Sequence, residues 1–276
     1  MRFTKMHGAG NDFIVINNMD GALAVAELGA LARRLCTPHT GVGADGLMVA
    51  MPARNDADYA MLYFNSDGSE GEMCGNGARC MARYGYEKGL AEEKQRIETA
   101  SGIVLGERVD KNHYSVRLND PSLIEPALSL EINDRSYECS YVELGVPGLP
   151  HLVVPMQYFD LMDAEELRAL GRAMRNAPRF AKGANVTFVK RTGDNCLKAV
   201  TYERGVEDFT LACGTGCGSV AAALSLSGDV DCCREVKISM PGGELAIRLC
   251  REGDCAKDIW LTGPTVVVFE AELVEG

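Results

Sequence analysis

The chain has 276 residues, 46% of them hydrophobic and 24% charged, with a formal net charge of −11. That balance fits a soluble globular protein of one large or two medium domains, and the acidity argues against a nucleic-acid or anionic-membrane partner, because such binding rests on Lys and Arg neutralising phosphate. No apolar run approaches the ~20 residues needed to span a bilayer. Arg2 and Lys5 are followed by His7, Asn11 and Asp12 and not by the apolar stretch of a signal peptide, so the chain reads as cytoplasmic.

In chain order, residues 13–16 form a short apolar run after a Gly8/Gly10 turn and read as a buried strand. Residues 22–34 have helical periodicity, with Arg33 and Arg34 in the last turn. Residues 41–46 are literally G-x-G-x-x-G. A turn-like stretch precedes them and a strand-like one, 47–51, follows, the wrong context for dinucleotide binding, so no nucleotide cofactor is expected. Residues 58–65 alternate as a strand and end in the turn 66–69. A helix at 78–88 follows, then a hairpin of strands at 97–109 and 113–118. Residues 119–126, with two prolines, read as a linker.

The second half repeats the theme: a strand at 137–144, a turn into a strand ending at 154, a helix at 163–176, strands at 185–189 and 197–202, a turn at 203–205, a helix at 219–227 and a hairpin at 235–240 and 244–249. The tail 262–273 is one more strand. An unpaired terminal strand of that apolarity would be a sticky edge, so it is expected to return to the first domain. The expected division is 1–118 with 263–276 against 119–262. The expected fold class is α+β: two pseudosymmetric β-rich domains, each wrapped round a central helix, with the active site in the cleft between them.

The chemistry concentrates in two motifs. Cys74-Gly75-Asn76-Gly77 and Cys213-Gly214-Thr215-Gly216 both read C-G-x-G, and each opens a small-residue helix that stops at a glycine, Gly89 or Gly228. The pairs 74/213, 75/214, 77/216 and 89/228 are each 139 residues apart, which indicates an internal duplication. A cysteine at a helix N-terminus sits at the positive end of the macrodipole, beside unpaired N–H groups that bind a carboxylate and lower a thiol pKa. The flanking glycines let backbone approach a ligand. Two such thiols on either side of one carbon can take a proton from one face and return one to the other. Eleven cysteines without an export signal suggest reduced thiols and not a disulfide framework. The spacings are poor for zinc: Cys74 and Cys80 are six apart, Cys213 and Cys217 four, and Cys232 and Cys233 adjacent. No metal is expected.

Residues 6–13 (MHGAGNDF), 64–70 (FNSDGSE), 73–80 (MCGNGARC), 202–205 (YERG) and 212–216 (ACGTG) together resemble the diaminopimelate epimerase family, end to end along the chain. The resemblance implies a cofactor-independent, two-base epimerase acting on a small-molecule amino acid, a homodimer of the cytoplasm serving lysine and cell-wall precursor synthesis. It implies that Cys74 and Cys213 are the thiolate/thiol pair, with His151 and Glu203 beside them tuning their protonation. Backbone amides at Gly75, Asn76, Gly214 and Thr215 would hold the reacting carboxylate, and Asn11, Asn65, Asn185, Glu203 and Arg204 would contact the substrate, Arg204 as a bidentate carboxylate clamp. The sequence departs from the family at Gly46, where glutamine is more usual, and at Leu149, where the family has an asparagine that helps hold the distal end of the substrate. Leu149 motivates a second reading, a racemase of the same family acting on another amino acid such as histidine. A third is an amino-acid-binding or redox-sensing relative using the same thiols.

Overall fold

The structure is a computed structural model and describes residues 1–71 and 73–274. Glu72, beside the first motif, and the last two residues of the expected 263–276 return lie outside the described residues. The chain divides into two compact units, Met1–Arg117 with Thr262–Gly276, and Leu118–Leu261.

In the first unit, β1 (Arg2–Gly8) and β2 (Asn11–Asn17) form an antiparallel hairpin. Its turn is Ala9-Gly10, both at positive φ (52° and 88°), the two-residue geometry that matches strand twist. After α1 (Val25–Cys36), β3 (Gly46–Met51) lies parallel to β2, and β4 (Tyr59–Asn65) returns antiparallel to β3. Helix α2 (Gly75–Glu87) then crosses over to β5 (Lys94–Thr99), parallel to β4, and β6 (Gly102–Arg108) and β7 (His113–Arg117) continue antiparallel. Leu28, Ala32, Leu35 and Cys36 of α1 join Ile14, Ile16, Leu47 and Val49 in one core. Helix α2 packs against β1, β2, β3, β6 and β7 and is buried from Gly75 to Gly85.

The second unit comprises β8 (Pro121–Ile132), β9 (Arg135–Leu144), β10 (Leu149–Pro155), α3 (Ala164–Arg175), β11 (Asn185–Gly193), β12 (Cys196–Glu203), β13 (Asp208–Thr210), α4 (Gly214–Ser227), β14 (Val236–Met240) and β15 (Gly243–Glu252). Strand β16 (Cys255–Pro264) carries the chain back, and β17 (Val266–Glu272) pairs antiparallel with β1. The pairing sequence of the first unit recurs: β9–β10 antiparallel, β10–β11 parallel, β11–β12 antiparallel, β12–β14 parallel, β14–β15 antiparallel. Helices α1 and α3 coincide at both ends under the 139-residue offset, and α2 and α4 start together. The fold is thus α+β, two β-rich halves of like topology, each built round a buried helix.

The 119–126 stretch is not a linker. It is the start of β8, paired with β9 from Pro121 onward. Its prolines sit where a strand tolerates them: Pro121 is the first residue, and Pro126 falls in the register shift between Glu125 and Leu128, where no ladder N–H is required. The expected strand 97–109 is two strands with a turn at Ala100-Ser101. Strands β1, β13 and β16 went unpredicted, because Arg2, Lys5, Asp208, Lys257 and Asp258 interrupt apolar alternation in segments that the ladder holds by pairing. No helix among the described residues is long and apolar enough to cross a membrane.

Candidate active site

Each unit carries one thiol at the start of its buried helix. Cys74 is the N-cap residue of α2 in extended conformation (φ −109°, ψ 118°), and Cys213 is its counterpart on α4 (φ −117°, ψ 105°). The local cause is the run of small residues after each cysteine. A Cβ on Gly77 would lie 1.7 Å from Met48 Cε, and one on Gly216 would lie 3.0 Å from the hydroxyls of Thr187 and Thr201 and 3.2 Å from Cys213 Sγ. The bareness of these two glycines therefore serves the fit of helix against its own sheet and thiol.

The two thiols are held differently. Cys74, half-buried, makes no capping bond; its Sγ donates to Asn11 Oδ1 at 3.3 Å. The Asn11 amide nitrogen donates to Asp45 Oδ2, which also accepts from the Asp12 backbone N–H at 3.0 Å, while Asp12 accepts from the Asp45 N–H at 3.0 Å and pairs with Lys5. Cys213 is buried and caps its helix, accepting from the Gly216 N–H at 3.4 Å. Burial and then the neighbouring Glu203 charge push its thiol well above the usual range, partly offset by Thr215 and Gly216. Burial likewise raises the Glu203 carboxyl, against bonds from Thr210 (2.6 Å) and the Cys213 thiol that favour its charged form.

His151 lies on β10 with no exposure, opposite Asn185 on β11. Burial, then the Arg204 charge, lowers its pKa from 6.5 to about 3, so it is a neutral imidazole at any working pH. Asn185 approaches His151 Nε2 at 3.5 Å, and its Oδ1 accepts from the Arg204 backbone N–H at 2.8 Å. Within the second unit, His151–Asn185–Arg204 and Thr210–Glu203–Cys213 thus form two connected groups. Arg204 is half-buried, and its guanidinium reaches the Lys182 carbonyl at 3.3 Å. In the first unit, Asn11 meets the thiol itself. Asn65 holds Ser69 Oγ at 3.0 Å at the end of β4, and the Asn76 side-chain oxygen accepts from buried Arg79 at 2.9 Å. Gly75 and Gly214 open the two helices, and Thr215 Oγ1 stands 3.6 Å from Cys213 Sγ.

Sequence reasoning missed Asp45, hidden inside the rejected G-x-G-x-x-G, and the Thr187/Thr201 hydroxyl pair under α4, 3.0 Å apart. None of the eleven cysteines is in a disulfide. Among the described residues, one group has metal-ligand proximity: Asp231, Cys232 and Cys233, with ligand atoms within 4.8 Å of one another. It follows the far end of α4, about 20 Å from the thiol by helix length. A cavity of about 320 Å³ lined by Val189, Leu224 and Asp229 lies at that same far end.

The diaminopimelate epimerase family model matches residues 3–124 and 146–268, one segment in each half. The chain is 39% identical to the diaminopimelate epimerase of Aquifex aeolicus, covering all of this chain and 98% of the relative, and 38% identical to that of Hydrogenobaculum sp., covering 99% and 98%. Among solved structures, a phenazine biosynthesis protein of the PhzF family from Bacillus anthracis superposes with TM-score 0.73 at 16% identity, covering 100% of this chain and 99% of that one. A hydroxyproline epimerase from Agrobacterium vitis, with bound trans-4-hydroxy-L-proline, gives 0.68 at 17%, covering 98% and 91%. At those identities the two structures speak for the fold alone.

Proposed function

The chain belongs to the diaminopimelate epimerase family, and from that premise we propose that it interconverts L,L- and meso-diaminopimelate, with Cys74 and Cys213 as the two acid/base groups. The observation that carries the reading is the pair of thiols at equivalent first turns of α2 and α4.

In the L,L-to-meso direction, one sulfur, as thiolate, takes the α-proton. The electron pair left on carbon is delocalised into the carboxylate, whose oxygens are held by N–H groups of Gly75 and Asn76 or of Gly214 and Thr215. These dipoles are already oriented where charge accumulates. The other sulfur, as S–H, delivers its proton to the opposite face. One proton leaves carbon and one arrives, so the substrate changes configuration and nothing else. The two sulfurs end with exchanged protonation, and the reverse reaction uses them in exchanged roles. The mechanism requires both to reach one α-carbon from opposite faces.

Glu203 is the partner through which Cys213 gives up or regains its proton, and His151, being neutral, is a hydrogen-bonding neighbour and not a resident cation. Asn11, Asn65, Asn185 and Arg204 contact the distal amino and carboxylate groups. The reaction needs no cofactor and no metal. We read residues 1–118 with 263–276, and 119–262, as the two epimerase domains, and the chain as a cytoplasmic homodimer. The exposed Val266, Val268 and Phe269 on β17 support an apolar contact with a second copy. The test is a panel of amino acids with chiral product analysis. Turnover of diaminopimelate alone is expected; turnover of histidine and not diaminopimelate would replace this substrate with that one.

A further inference from the structure

The catalytic reading leaves one acid-rich cluster at the surface of the first unit, Asp12 and Asp45 with Lys5, unused. Asp45 immediately precedes β3 and fixes Asn11, the residue that accepts from the Cys74 thiol. The Asn11 amide has two ends: its nitrogen is engaged by Asp45 Oδ2, which leaves its oxygen toward the Cys74 thiol at 3.3 Å. A carboxylate accepts and cannot donate, so Asp45 permits only this orientation of the amide. Asp45 is itself fixed by the reciprocal backbone bonds with Asp12, and Asp12 is anchored by Lys5. The Cys74 sulfur therefore faces an acceptor, which stabilises S–H and not S⁻.

Resting on the proposed two-thiol chemistry, we propose that Asp45 is a positioning residue that locks the Asn11 amide with its oxygen toward Cys74, so that between turnovers this thiol is held protonated and aimed. Among the described residues, the titratable and charged groups around it include Lys5 on β1, Asp12 on β2, the neutral Tyr63 phenol on β4, Asp67 just after β4, and Arg79 on α2, with the Cys36 thiol on α1 and the Cys80 thiol on α2 also close. Lys5 is taken up by Asp12 and the Gly43 carbonyl, and Arg79 by the Gly75 carbonyl and Asn76, so neither replaces Asp45 at the Asn11 nitrogen. An Asp45→Asn substitution keeps the shape, removes the obligate acceptor and one negative charge, and lets the Asn11 amide turn its N–H toward sulfur.

The test is the pH dependence of alkylation at Cys74 by iodoacetamide, read by peptide mass mapping, in the wild type and in D45N, with circular dichroism to establish that both are folded. The midpoint in D45N is expected about one pH unit lower, since a nearby anion and an acceptor on the thiol both raise its pKa. The acidic limb of kcat/KM should move the same way while kcat falls, and Asp45→Glu should restore part of the wild-type midpoint. A folded D45N with an unchanged Cys74 midpoint would overturn the proposal. Alkylation does not depend on turnover. A shifted midpoint in a protein that does not epimerise diaminopimelate would fault the functional reading and leave the positioning role standing.

Discussion

His151 and Asn185 face each other across the parallel pair β10–β11, with Nε2 and Nδ2 3.5 Å apart. An amide nitrogen can only donate, so Nε2 is an acceptor and the imidazole is neutral with its proton on Nδ1. This agrees with burial as the main cause of a pKa near 3.

A histidine that titrates at 6.5 when unfolded and near 3 when folded makes stability depend on pH. The folded pKa is depressed, so the neutral ring's contribution is complete above pH 6.5 and is lost as pH falls from 6.5 toward 3. Within that window His151 should steepen the loss by up to about 1.4 kcal/mol per pH unit. Urea denaturation at pH 7, 5.5 and 4.5 is expected to show a shallower decline for His151→Gln than for the wild type. Parallel declines would mean that the ring is not held neutral.

Gly77→Ala should destabilise the first unit by about 1–3 kcal/mol, the usual cost of overpacking, because the added methyl meets Met48 Cε at 1.7 Å. The methionine end is flexible, and the cost lies in displacing it; the new Cβ would also lie 3.4 Å from Phe13 Cζ. Denaturation of the G77A/M48A double variant should show less destabilisation than the sum of the two singles.

For Arg204→Lys, KM for diaminopimelate is expected to rise roughly 10- to 100-fold with a smaller change in kcat, since an ammonium cannot reproduce a two-pronged carboxylate contact. The backbone N–H of residue 204 still donates to Asn185, so folding should be unaffected. A fall in kcat with KM unchanged would move Arg204 from substrate holding to the chemistry.

The helix positions were legible from two signals: helical patterning marked α1 and α3, and the C-G-x-G pair marked α2 and α4 at a 139-residue offset that also superimposes α1 on α3. Both cysteines do begin helices, as their small-residue followers imply. Other features were not legible for physical reasons. Pro121 and Pro126 look like linker residues in a sequence, and only the pairing with β9 reveals that one opens a strand and the other sits in a bulge. Asp45 looks like part of a nucleotide loop, and its role at Asn11 depends on a contact across 34 positions of chain. The inequality of the thiols, Cys213 capped by Gly216 and beside Glu203, Cys74 facing Asn11, arises from neighbours far apart in sequence and has no signature in two nearly identical motifs.

The central claim is that two different sulfurs handle the departing and arriving protons, and its most direct test is the initial fate of hydrogen in deuterated water. Starting from L,L-diaminopimelate, the first meso product should carry deuterium at one α-carbon while the remaining L,L pool is still unlabelled, and Cys74→Ala and Cys213→Ala should each lower kcat by at least about 100-fold. Early meso product that retains the substrate's own α-hydrogen, or near-normal epimerisation with either thiol removed, would contradict the account.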